Sequence, residues 1–387
     1  YLSSLLQSIR EAGKTNRDIE KKMEEYCPYM QEMTAEALRI FEKASLNMAW
    51  YNRLVENREV IAEQLDAMAY IMEDCAKKQK NITEECRSNL QDIAYRARER
   101  GIKVIDEQLW EKENGRWQLV MKVMVKDGCV TTRELTKAVA GALNRRMIPE
   151  KDTKTLIGKG VNLYTYEEEP RFQAIYGVAR MVKDGAAVSG DNFSFLEPES
   201  GKMVMCLSDG MGSGSLACKE SEMVIELVEK FLEAGFDVET AARMMNSAMV
   251  MKGQEDLFST VDISELDLYD GTCRFYKIGA AATFIRRNGI VECLISTSLP
   301  VGVSYKLDME KSEKDLYNGD FLVMVSDGVL EYLHVPNPEE TMQEIIESIE
   351  TNNATILAKR ILERVLLFTG GKAADDMTVL ATAIWEK

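Results

Sequence analysis

The chain has 387 residues, with 48 basic and 64 acidic side chains and a net charge of −16, which disfavours nucleic acid or any other polyanion as the main partner. No stretch approaches the roughly 20 apolar residues of a membrane span and no signal-peptide pattern opens the chain, so no membrane contact is visible in it. A single histidine, His334, and eight cysteines without a close pair argue against a zinc cage and a nucleophile–His–Asp triad, and read as reduced thiols of a cytosolic protein. Chemistry in this chain must lean on carboxylates.

Residues 1–100 carry helical periodicity. Leu2, Leu5, Leu6 and Ile9 form one apolar face, Leu54, Ile61, Leu65 and Met68 another, and Ile82, Cys86, Leu90 and Ile93 a third. Long amphipathic helices in a row predict either a stalk that pairs with a neighbour or a self-contained bundle. The start at Tyr1 rather than a methionine suggests the soluble piece of something longer.

After Gly101 the period changes to two. "IKVIDEQLW" and "WQLVMKVMVK" flank an Asn-Gly turn, "TTRELTKAVAGALNRR" reads as a helix and "VNLYTYEE" as a further strand. Residues 101–169 are therefore expected to form a small α/β regulatory domain. Beyond residue 170 strands dominate, with Asp270-Gly271 and Asn288-Gly289 as hairpin turns. Helix pairs interrupt them: 215–234 and 237–253, then 338–349 behind the cap Asn337 and 354–368. Antiparallel strands broken by helix pairs predict an α+β architecture, a β-sandwich with helices outside it.

Four aspartates stand beside these strands: Asp191 in "VSGDNFSF", Asp209 in "LSDGMGSG", Asp327 in "VMVSDGVLE" and Asp375 in "AADDMTV". Each alone reads more readily as a turn or a solvated cap. Together with the carbonyl of Gly210, where a missing Cβ permits a sharp turn, they could hold two hard divalent ions, which favour carboxylate and carbonyl oxygen.

In this order, "GVARMVKDGAAVSGDNF", "LSDGMGSG", "VMVSDGVLE" and "DDMTVLATAI" resemble the metal-dependent PP2C-type serine/threonine phosphatases over residues 170–387, and more narrowly their sporulation branch over the whole chain. The resemblance implies a PP2C-like sandwich and two Mn²⁺ or Mg²⁺ ions. It implies that Asp209 bridges both metals, Gly210 lends its carbonyl, Asp327 and Asp375 hold the first metal and Asp191 serves the second. Asp209, Asp327 and Asp375 become the catalytic set, while Asp376 stands where many members have asparagine. The arginine and histidine that eukaryotic members use for phosphate docking and leaving-group protonation have no matching motif.

The resemblance further implies a phosphorylated anti-sigma-factor antagonist as substrate, with release of a sporulation sigma factor as the consequence. It implies a homodimer formed through switch helices in 215–251 and the N-terminal helices, at the cytoplasmic face of a membrane and tethered by a segment absent from this chain. Two alternatives stay open at this point: a stress-response phosphatase of the same group with a different antagonist, and a non-catalytic scaffold that binds phosphoproteins. The methionines at 244, 245, 249 and 251 suit either a repacking contact or ordinary core.

Overall fold

The computed structural model describes Arg39 and residues 79–112, 115–150, 153–198, 201–212, 214–251, 258–304, 306–368, 370–373 and 375–387. The chain divides into Tyr1–Asp66 and Ala67–Lys387, and Arg39 alone of the described residues falls in the first unit. The helical reading of residues 1–78, Arg39 apart, lies outside the described residues.

The first layer is a five-stranded antiparallel sheet ordered β1-β2-β3-β7-β5, built from β1 (Gln79–Asn81), β2 (Ile102–Lys112), β3 (Trp117–Val125), β5 (Met147–Pro149) and β7 (Asn162–Glu168). β4 (Val130–Thr131) and β6 (Leu156–Ile157) form a short separate ladder. Helices α1 (Arg87–Glu99) and α2 (Thr132–Leu143) lie against each other, and Leu90, Ile93 and Ala97 share one core with Leu119, Val123, Leu135 and Tyr166. The apolar face of α1, ahead of Gly101, is buried on the sheet that follows it, so described residues on both sides of Gly101 share one core.

The remaining residues form a sandwich of two five-stranded antiparallel sheets. The first has the order β15-β12-β11-β10-β9, from β9 (Asp191–Leu196), β10 (Lys202–Gly210), β11 (Ser259–Asp267), β12 (Thr272–Ile278) and β15 (Glu310–Asp315). The second has the order β14-β13-β16-β17-β8, from β8 (Phe172–Met181), β13 (Thr283–Arg287), β14 (Ile290–Leu294), β16 (Phe321–Val325) and β17 (Met377–Glu386). Met203, Met205 and Leu207 of one sheet meet Leu322, Met324 and Leu380 of the other, alternate residues of each strand facing inward. Outside the first sheet pack α3 (Ser215–Glu233) and α4 (Val238–Met251). Outside the second pack α6 (Pro338–Glu347) and α7 (Ala354–Phe368), while α5 (Asp327–Glu331) is a single short turn after β16. Expected and observed architecture agree.

Local chemistry explains most element ends. Asn288 (φ 50°) and Gly289 (φ 82°) make the two-residue turn between β13 and β14, with positive φ at both positions. Asp270-Gly271 instead sits inside a four-residue connection from β11 to β12, where a Cβ on Gly271 would meet the Leu316 carbonyl at 2.4 Å. Asp237 caps α4 by accepting the Thr240 backbone N–H at 2.9 Å. Asn337 occupies the capping position of α6, but its side chain donates to Glu340 instead. Met245 and Met249 are buried between α4 and the sheet, so the methionine face is core at those positions.

The first layer is fastened to the sandwich at the far end of β11. Arg116 makes two hydrogen bonds to Asp267, at 3.1 and 2.9 Å, and its guanidinium lies 3.6 Å from the centre of the Tyr269 ring. The Tyr269 hydroxyl donates to the Glu168 carbonyl at 2.9 Å.

Candidate active site

Asp209 is the penultimate residue of β10 and stands opposite Asp191 on β9 and Thr260 on β11. Asp327 opens α5 directly after β16, and Asp375 lies in the loop that enters β17. Each sheet thus contributes two of the four carboxylates. Asp209, Gly210, Asp327 and Asp375 line one cleft of about 430 Å³, together with Lys183, Met211, Ser259 and Gly279. Asp191 lies behind them with 0% exposure.

Asp191 is in an electrostatic conflict. Burial pushes its carboxyl above the ordinary carboxylate range and the Asp376 charge adds to this, while the nearby hydroxyls of Thr378 and Ser326 offset part of it. Yet neither carboxylate oxygen of Asp191 has a hydrogen-bond partner among the described residues. Asp209 is pushed up to about 11, first by burial and then by Asp327 and Asp191. Carboxylates crowded in this way, with buried oxygens unpaired, are matched by a cation of high charge.

The two Ser-Asp-Gly copies are held by the same kinds of contact. In the first, the Ser208 hydroxyl donates to the Thr260 carbonyl at 2.9 Å and lies 2.8 Å from the Ser259 hydroxyl, which donates to the Asp209 carbonyl at 2.7 Å. In the second, the Ser326 backbone N–H donates to the Thr378 carbonyl at 3.0 Å, and its hydroxyl accepts the Thr378 N–H at 2.9 Å. Each serine ties the backbone beside its aspartate to the neighbouring strand. Each glycine permits a close approach: a Cβ on Gly210 would lie 2.1 Å from the Ala217 carbonyl oxygen of α3, and one on Gly328 2.2 Å from the Asp376 carbonyl oxygen. The second approach brings the Asp375 loop against Asp327.

The adjacent pair Asp375-Asp376 divides its work. Asp376 is buried and accepts the backbone N–H groups of Lys183 at 2.9 Å and Gly190 at 2.7 Å. Asp375 faces the cleft, with the Lys183 ammonium at 3.5 Å. His334 is outside the cleft, in a left-handed conformation (φ 48°) with its ring against Tyr332.

The donor set is all oxygen, which suits Mg²⁺ or Mn²⁺ and not zinc. Among the described residues no three His, Cys, Asp or Glu side chains are gathered tightly enough to grip an ion as they stand. The fit rests on donor chemistry, on the unpaired Asp191 oxygens and on the Gly210 approach. The reading of isolated aspartates missed the anchoring role of Ser208 and Ser326, for which the repeated Ser-Asp-Gly was the signal, and that of Asp376, for which the signal was its place beside Asp375. It also missed Lys183, for which nothing in the sequence signalled a place in the cleft.

Residues 199–384 match the family model for stage II sporulation protein E (SpoIIE), and residues 1–145 match that for the SpoIIE regulatory domain. Stage II sporulation protein E of Bacillus subtilis (strain 168) is 26% identical over 381 residues, covering 98% of this chain and 46% of that protein. The protein of the same name from Priestia megaterium is 28% identical over 337 residues, covering 86% and 57% respectively. The chain thus spans about half the length of the curated relatives it matches. The solved structure of the PP2C phosphatase domain and a fragment of the regulatory domain of SpoIIE from Bacillus subtilis matches with a TM-score of 0.62 at 26% identity, covering 87% of this chain and 98% of that one.

Proposed function

Since the chain belongs to the stage II sporulation protein E family and its second half is a phosphatase domain of the PP2C type, we propose that it hydrolyses a protein phosphoserine with the help of two divalent ions, Mn²⁺ or Mg²⁺. The observation that carries this reading is the meeting of Asp209, Asp327 and Asp375 in one cleft, with Asp191 buried and unpaired behind them. Asp209 would serve both ions, Gly210 would lend its carbonyl, Asp327 and Asp375 would hold one ion, and Asp191 would serve the other. Bound there, the ions would supply an activated water for in-line attack and screen the phosphoryl oxygens.

The chain's own contribution is placement. Ser208 and Ser326 fix the backbone beside two ligands, and Asp376 fixes the loops that carry Asp191 and Lys183. No phosphoenzyme is required, and burial raises the Cys206 thiol far above the range of a thiolate nucleophile.

The substrate in this reading is a phosphorylated anti-sigma-factor antagonist, whose dephosphorylation releases a sporulation sigma factor. Residues 79–168 would form part of the regulatory region, the helices at 215–251 would couple a homodimer to the site, and the molecule would work at the cytoplasmic side of a membrane. Support for the coupling is physical: only residues 211–214 separate Gly210 from α3, so rotation of that helix acts on the metal-bearing strand end. Among the described residues no helix is long and apolar enough to cross a membrane.

The test is phosphate release from phosphorylated antagonist by the purified chain, with and without Mn²⁺, for wild type and Asp209→Asn. Turnover that requires Mn²⁺ and vanishes in a folded Asp209→Asn variant is expected. Near-normal rates in that variant would remove the assignment, and tight binding of the phosphoprotein without any turnover would favour the scaffold instead.

A further inference from the structure

We propose that Lys183 docks the phosphoryl group of the substrate, an inference that rests on the phosphatase reading above and supplies the cation that reading lacks. Among the described residues that line the cleft, Lys183 is the only basic one. Two divalent ions set against Asp191, Asp209, Asp327 and Asp375 bring those four carboxylates only to neutrality, and the buried Asp376 beside Asp191 leaves a further negative charge. An incoming phosphomonoester dianion therefore needs a further positive charge from the chain.

Three other basic side chains, Arg180, Lys277 and His334, do not line the cleft. Arg180 donates to the Asp191 backbone carbonyl and does not line the cleft. Lys277 is 3% exposed, with its ammonium held by Asp262 at 2.5 Å and the Ala281 carbonyl at 2.6 Å. His334 lies outside the cleft.

Lys183 is placed with care but held loosely at its tip. Its backbone N–H is fixed by the buried Asp376 at 2.9 Å, and the next residue, Asp184, donates its N–H to the Ala373 carbonyl at 2.7 Å, so the loop bearing Asp375 also positions Lys183. The ammonium stands 3.5 Å from Asp375, with the two side chains 37% and 34% exposed. That is longer than the roughly 2.7–2.9 Å of a strong charge-assisted hydrogen bond. An ammonium carries three donors, and Asp375 engages it only weakly here. A phosphoryl oxygen entering beside Asp375 can take the others. A compact ammonium also tolerates the reorientation of a phosphoryl group during in-line attack better than a rigid fork does.

The experiment compares wild type, Lys183→Met, Lys183→Gln and Lys183→Arg in the full chain. It measures kcat and KM with a phosphoserine peptide, inhibition by inorganic phosphate, and Mn²⁺ affinity by calorimetry. We expect the two neutral variants to raise KM and the phosphate inhibition constant together, by about 10- to 100-fold, without weakening Mn²⁺ binding, and Lys183→Arg to restore most of the loss. Unchanged phosphate inhibition in the folded neutral variants would overturn the proposal. So would a loss of Mn²⁺ affinity in step with KM, which would make Lys183 a support for Asp375. A wild-type chain without Mn²⁺-dependent turnover would instead sink the phosphatase reading itself.

Discussion

Substituting Gly210 by alanine tests the close approach on which the first Ser-Asp-Gly depends. The new methyl group would begin 2.1 Å from the Ala217 carbonyl oxygen and 2.9 Å from its Cα, and the obstacle is backbone, not a pliable side chain. To reach ordinary contact, α3 and the end of β10 must separate by about 1 Å. A shift of α3 away from β10 also draws it off the neighbouring strand β9. There Asn192 donates to the Ser221 hydroxyl at 2.8 Å and to the Cys218 carbonyl at 3.1 Å, and both bonds would pass beyond hydrogen-bonding range. Overpacking of about 1–3 kcal/mol and two hydrogen bonds of about 1 kcal/mol each give a loss of roughly 3–5 kcal/mol, or roughly 4–6 °C in melting temperature for a chain of this size. Mn²⁺-dependent turnover should fall further than stability, because the movement separates Asp209 from its companions. Thermal denaturation and phosphate release are measured on the same preparations, with Gly158→Ala as control, since a Cβ there meets nothing within 4 Å. A Gly210→Ala variant that matches wild type in both would refute the argument.

Three further outcomes are expected. Lys277→Met strands the Asp262 carboxylate in the sandwich core with the Thr283 hydroxyl at 2.6 Å and should cost about 3–5 kcal/mol by urea denaturation; pairing it with Asp262→Leu should recover most of that, and a fully stable single variant would contradict the buried pair. Arg116→Ala removes two hydrogen bonds to Asp267 and the stack on Tyr269. It should weaken attachment of the first layer by about 1–3 kcal/mol, seen as a separated low-temperature transition in calorimetry; a single unshifted transition would refute it. Deleting residues 1–100 should unfold the first layer, because Ile82, Leu90, Ile93 and Ala97 leave its core; an unchanged near-ultraviolet signal from that layer would contradict the packing.

The sequence made the sandwich legible where a strand buries one or both faces. β10, β16 and β17 are apolar runs because sheet and helix cover them on opposite sides, and Asn288-Gly289 announced its hairpin through the positive φ that both residues adopt. β15 was not legible. "EKSEKD" is held at a sheet edge by backbone bonds to β12 and is almost wholly exposed, so no apolar alternation betrays it, and its charges suit an edge that must not pair further. α1 was read as helical from Leu90 and Ile93, but periodicity reports that a helix has an apolar face and not which partner receives it. The four aspartates were visible through their adjacent strands. The contacts that gather them were not, because Gly328 against Asp376 and Asp376 against Gly190 join segments far apart in the chain.

Asp191 and Asp209 ride on one sheet, Asp327 and Asp375 on the other. The spacing between these pairs is therefore set by the thickness and registry of what lies between the sheets, where Met205, Leu207, Met324 and Leu380 interdigitate. Filling and function share a single dimension. A methyl group lost from that interior, well away from solvent, alters the gauge of the cleft as directly as a change at its rim, and flexible methionine at that seam gives the gauge some travel.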